Sequence, residues 1–160
     1  MITAYLSEKF GGFVVVGGFA TALHSLGMYV TADVDVVVAM ARDMDGLRKL
    51  EDGLKRLGFR RNRVWCHEEA KYALDVVSGY PPERTKTFEI GGYKVEVASP
   101  EEALINDLAG YKFWNEGTML ERAILVFKAQ RERLDTEYLR KRARARDVED
   151  VLGELERLAL

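Results

Sequence analysis

Phe13-Val14-Val15-Val16-Gly17-Gly18-Phe19-Ala20-Thr21-Ala22-Leu23-His24-Ser25-Leu26-Gly27 is followed by Met28-Tyr29-Val30-Thr31-Ala32 and then by Asp33-Val34-Asp35-Val36-Val37-Val38. An apolar run ends in two glycines, a small-residue helix follows, and a second apolar run opens with two aspartates. Val14 to Val16 are β-branched and bounded by glycines on both sides, which predicts a buried strand. Gly17 and Gly18 fall where that strand turns into a helix. Lacking Cβ atoms, they let the backbone bend sharply and let a ligand approach closely. The N–H groups of the following helix would point at the same spot, which suits a phosphate.

Asp33 and Asp35 stand at i and i+2, so on a strand both carboxylates leave from one face, about 6.6 Å apart along the chain. At an effective dielectric near 20, two charges at that separation repel by about 2.5 kcal/mol. Stability alone would not select such a pair. Divalent cations would reverse the sign, because hard ions such as Mg²⁺ take carboxylate and phosphate oxygens together. Each feature has a plainer reading. A glycine pair after a strand is often only a turn, and Asp-Val-Asp-Val can be the wet face of an alternating strand. Together and in this order they point to a site.

Gly-Gly-x-Ala, a helix with a His-x-x-Gly end, and Thr31-x-Asp33-x-Asp35 resemble the minimal nucleotidyltransferase family of the polymerase-β-like nucleotidyltransferase superfamily. The resemblance implies that Gly17, Gly18 and Thr31 bind the nucleoside triphosphate, with ATP the expected donor. It implies that Asp33, Asp35 and a third acid on a neighbouring strand hold two Mg²⁺ ions. Relatives usually carry an arginine two residues before the threonine; this chain has Tyr29 there.

Outward from this stretch, residues 2–10 read as an opening helix stopped by Gly11-Gly12. A lone helical histidine such as His24 is usually a packing or surface residue. Asp43 or Asp45 can cap a helix with Leu47, Leu50, Leu54 and Leu57 at helical spacing and Gly58 as its stop. A right-handed strand–helix–strand unit is expected there. Residues 59–69 look charged and irregular. Arg60, Arg61 and Arg63 could face a phosphate or line a solvated edge. Cys66, His67, Glu68 and Glu69 lack the spacing of a zinc site.

Tyr72 to Val77 reads as a strand with one odd residue, Asp75. By the family's order Asp75 is the third acid, and the candidate base for the acceptor hydroxyl; Glu96 is its rival. Gly91-Gly92 predicts a hairpin between Thr85–Ile90 and Tyr93–Val97. Ser99, Pro100 and Glu102 form a capping-box pattern. Helices are expected over 102–114, from Thr118, from an Asp135 cap, and over 148–158. By the same resemblance Lys112 can reach a phosphate, or it is a solvated helix lysine. Residues 140–146 carry five basic residues, which make either an RNA-facing surface or a solvated face with helical ion pairs.

Composition sets outer limits. A chain of 160 residues suggests one compact unit: an α/β core over 1–98 with a helical region over 99–160 packed on it. A 48% hydrophobic and 31% charged content is that of a globular protein. The net charge of −2 excludes a strongly basic nucleic-acid coat protein. One cysteine, no membrane-length apolar run and no leader-like start predict a cytoplasmic protein with no membrane partner. The expected fold is therefore α+β: a small mixed sheet bearing the glycine turn and three acids, with helices on one side and a helical C-terminal half alongside. The expected activity is transfer of a nucleoside monophosphate to a hydroxyl of a protein, a tRNA or other RNA, or a small molecule. The alternative is a weakly active or inactive partner-binding protein of this fold, such as a toxin–antitoxin component. Retention of three like charges argues against that alternative.

Overall fold

The computed structural model describes residues 13–159. The expected opening helix and its Gly11-Gly12 stop lie outside them. Among the described residues the order is β1 (Phe13–Val16), α1 (Gly17–His24), β2 (Asp33–Val38), α2 (Met44–Arg56), β3 (Arg60–Arg61), β4 (Trp65–Cys66), β5 (Ala73–Val76), β6 (Thr85–Ile90), β7 (Tyr93–Ala98), α3 (Pro100–Trp114), α4 (Gly117–Gln130), α5 (Thr136–Ala145) and α6 (Glu149–Leu158). The strands form one mixed sheet in the order β3-β4-β5-β2-β1-β7-β6.

The topology follows from the connections. α1 returns the chain so that β2 runs antiparallel to β1, Val16 opposite Asp35. Crossing through α2 and then the short strands β3 and β4 at the sheet edge, the chain comes back beside β2 as the parallel strand β5. The Gly91-Gly92 turn has φ of +59° and +81°, a geometry glycine adopts without strain, and it closes the antiparallel β6–β7 hairpin. β7 then pairs in parallel with β1.

Strand alternation sorts the side chains. Val15, Val36, Leu74 and Val97 meet Leu50 and Leu54 of α2 and Ala20 of α1 in the first apolar cluster. The second cluster lies within the helical half, around Leu104, Leu108, Val126, Leu139, Leu152 and Leu155. Asp33, Asp35 and Asp75 fall on the opposite sheet face from Val36 and Leu74.

Two expectations need correction. Residues 59–69 are not irregular throughout: β3, with Arg60 and Arg61 exposed at the sheet edge, and β4 form a small antiparallel hairpin, and Trp65 pairs with Leu74 on β5. Burial of Phe59 and Trp65 draws this charged stretch onto the sheet edge. The capping box at α3 is only half made. Ser99 Oγ accepts from Glu102 N at 3.3 Å, but the Glu102 carboxylate turns to Arg142 Nε at 2.7 Å and to the Tyr138 hydroxyl. Asp43 caps α2 through Gly46 N at 2.7 Å, and Asp135 caps α5 through Tyr138 N at 3.0 Å.

Candidate active site

The site is built where β1 ends and β2 begins. Gly17 has φ of +58°, so the chain leaves β1 through a left-handed residue and enters α1 at once. The Gly18 N–H donates to Asp35 Oδ2 at 3.2 Å. A Cβ on Gly17 would lie 2.1 Å from that same oxygen, so the bend and the carboxylate occupy one space only because position 17 is glycine. At Gly18 the nearest groups to an added Cβ would be Thr31 Oγ1 at 3.2 Å and the Tyr29 ring at 3.4 Å. The Thr31 hydroxyl in turn donates to Asp33 Oδ1 at 2.7 Å.

Asp75 reaches this corner through strand register. It sits directly beside Asp35 in the parallel β2–β5 ladder, one strand spacing or about 4.8 Å away. Asp33 lies two residues along the same face. Burial holds the Asp35 carboxyl above the usual carboxylate range; the Gly18 N–H opposes this, and the charges of Asp33 and Asp75 add to it. Glu96 is placed differently. It pairs with Val14, so the whole of β1 separates it from β2. Hydrogen bonds from Thr85 and Thr87 hold its carboxyl below the ordinary value.

Gly17, Gly18, Thr31, Asp33, Asp35 and Asp75 are thus brought together, and Lys112 is not. Its ammonium faces the α5–α6 corner, on Asp150 Oδ1 at 2.9 Å and the Asp147 carbonyl. The basic segment is also engaged: Arg140 pairs with Glu156, Arg142 with Glu102 and Glu83, and Arg144 with Glu149. His24 is buried, its Nε2 2.7 Å from the Ala98 carbonyl, as expected of a packing histidine.

Two charged residues that the sequence reading passed over flank the site. Asp107 of α3 is fully buried and pairs with Arg122 Nη2 of α4 at 2.7 Å. Thr21 of α1 donates to Asp107 Oδ2 at 3.1 Å. The one signal for Asp107 was a charge set inside the apolar run from Leu104 to Ala109. Burial pushes its carboxyl up to about 7, against the pull of Arg122 and Thr21.

Three carboxylates on one sheet face are the donor type that a hard divalent cation takes. Asp33 and Asp35 are meanwhile turned to Thr31 and Gly18. Among the described residues, no three acidic, histidine or cysteine side chains form a ready-made metal cage.

Neither the family models nor the curated proteins contain a match to this chain. Solved structures do match. The crystal structure of an antigenic nucleotidyltransferase-like protein from Paracoccidioides brasiliensis superposes with a TM-score of 0.60 at 18% identity, covering 97% of this chain and 90% of that one. The antibiotic-resistance factor ANT(2″)-Ia matches in a crystal structure with adenylyl-2″-tobramycin, with a TM-score of 0.55, 16% identity and coverage of 89% and 91%. Its solution structure matches with a TM-score of 0.55, 17% identity and coverage of 96% and 92%. The chain therefore has the nucleotidyltransferase fold. No helix among the described residues is long and apolar enough to cross a membrane.

Proposed function

We propose that this protein is a Mg²⁺-dependent nucleotidyltransferase that moves a nucleoside monophosphate from a nucleoside triphosphate, with ATP the expected donor, to a hydroxyl acceptor. The acceptor oxygen loses its proton and bonds to the α-phosphorus. The bond from that phosphorus to the β-phosphate oxygen breaks, and pyrophosphate leaves. The observation that carries this reading is the register of Asp75 beside Asp35, with the Asp35 carboxylate held against the glycine bend.

Asp33, Asp35 and Asp75 would hold the Mg²⁺, which supplies charge neutralisation and polarisation of the phosphate when bound. Gly17 makes room at the bend for the Asp35 carboxylate, and Gly18 turns its N–H to the same oxygen. The first-turn N–H groups of α1 lack helical partners and face polyphosphate, with the Gly18 N–H shared with Asp35. Thr31 orients Asp33. Asp75 takes the acceptor's proton, a role that requires hydrogen-bond reach to the hydroxyl. A small molecule, a protein or an RNA are the acceptor classes. The adenylyl-2″-tobramycin seen with ANT(2″)-Ia favours the first for a fold of this size.

Calorimetry with ATP and Mg²⁺ tests this on the natural chain and on Asp33→Ala/Asp35→Ala. Binding heat is expected from the first, lost in the second and lost on chelation with EDTA. Equal heats would remove the reading. The rival, a partner-binding protein such as a toxin–antitoxin component, draws on Tyr29 in the arginine's place and predicts no nucleotide heat from either.

A further inference from the structure

Arg122 is a half-buried cation to which the acids and glycines of the site give no task. It projects from α4 toward Thr21, the fifth residue of α1, with its side chain 12% exposed. Three groups fix it there. Asp107 holds Nη2 by an ion pair at 2.7 Å. Thr21 Oγ1 lies 3.4 Å from the same nitrogen and also within 3.4 Å of the Gly17 carbonyl. The guanidinium carbon stands 5.4 Å from the centre of the Tyr29 ring, a cation–π arrangement. That ring also borders Gly18.

The polar contacts to Asp107 and Thr21 both run through Nη2. Among the described residues Nε has no hydrogen-bond partner. A guanidinium carries five N–H donors in a fixed fork suited to phosphate, so this one has donors unused. Asp107 fixes its position at one end while the aromatic face of Tyr29 steers it at the other.

We propose that Arg122 is the residue that receives the terminal phosphates of the nucleotide beside the glycine bend, with Asp107 and Tyr29 as its positioning residues. This rests on the nucleotidyltransferase reading and deepens it. Tyr29 then has a purpose of its own: it directs a cation brought from α4.

The experiment compares ATP and AMP binding, each with Mg²⁺, on the natural chain, on Asp107→Asn/Arg122→Gln and on Arg122→Lys. The double change removes both charges and strands neither, and thermal melting checks that each variant folds. Arg122 on the terminal phosphates predicts at least a tenfold loss of ATP affinity in the double variant, AMP affinity within twofold, and partial retention with lysine. ATP affinity within twofold of the natural chain overturns the inference alone. So does an equal loss for ATP and AMP, which would mark a purely structural role. A natural chain that binds neither nucleotide overturns the underlying reading with it.

Discussion

Replacing Gly17 with alanine separates two effects that glycine relieves at the bend. The first is backbone strain: a side chain at φ of +58° enters the left-handed region, at a cost of about 1–2 kcal/mol. The second is collision, because the new Cβ would stand 2.1 Å from Asp35 Oδ2 and must drive the carboxylate off the Gly18 N–H. Losing a hydrogen bond to a charged group adds about 2 kcal/mol. Gly27 supplies the control, since its φ is +81° and an added Cβ would meet nothing within 4 Å. Gly27→Ala therefore measures strain alone. Urea unfolding should put Gly17→Ala about 2 kcal/mol below Gly27→Ala, or about 1 M lower in midpoint for a slope near 2 kcal/mol per molar. In the Asp35→Ala background the collision disappears, and the excess cost of Gly17→Ala should fall to the Gly27 value. Equal midpoints for the two glycine variants, or an unchanged excess without Asp35, would refute the idea that bend and carboxylate share one space.

Three further outcomes are expected. Asp107 has its folded pKa raised to about 7 from an unfolded value of 3.8, so the folded state binds the extra proton between those limits. Its contribution to stability is therefore present below about pH 4 and declines as pH rises to 7; urea midpoints across that window should flatten in Asp107→Asn. Arg142→Ala strands the buried Glu102 carboxylate and should cost about 3–5 kcal/mol by urea unfolding, whereas Arg140→Ala at the exposed Glu156 pair should change stability by less than about 1 kcal/mol. Gly110 and Gly153 should respond with opposite signs in thermal melts. Gly153 in α6 has open space and should gain about 0.5–1 kcal/mol as alanine, while a Cβ at Gly110 would fall 1.8 Å from Met119 Sδ where α3 meets α4 and must push that thioether aside, for a net loss of up to about 1 kcal/mol.

The parts of this fold that were legible in the sequence are those governed by local chemistry. Valine runs between glycines, the Gly91-Gly92 turn, the Asp43 and Asp135 caps and the Asp33/Asp35 spacing each act within a few residues, and each occurs as expected. Asp75 was legible as a charge in an apolar strand. Its pairing with Asp35 is a register, which only the assembled sheet displays. β3 and β4 escaped notice because strands of two residues have no period to detect. Lys112 sits on an ordinary helical position, and nothing in its neighbours along the chain foretold that Asp147 and Asp150 would fold back to meet it. Asp107 and Arg122 are joined across two helices, so their pairing is not marked by the sequence around either one.

The contact of Thr21 with Asp107, and that of the Gln130 amide with the His24 carbonyl at 2.7 Å, fasten the middle and the C-terminal end of α1 to the helical half. The seam after Ala98 is thus a boundary between apolar clusters but not between working parts. A fragment ending there would retain every acid of the sheet and yet lose the brace that sets the angle of the glycine-led helix. Insertions and fusions belong elsewhere, and shuffling this strand-rich half onto a foreign helical partner would require that partner to rebuild the brace.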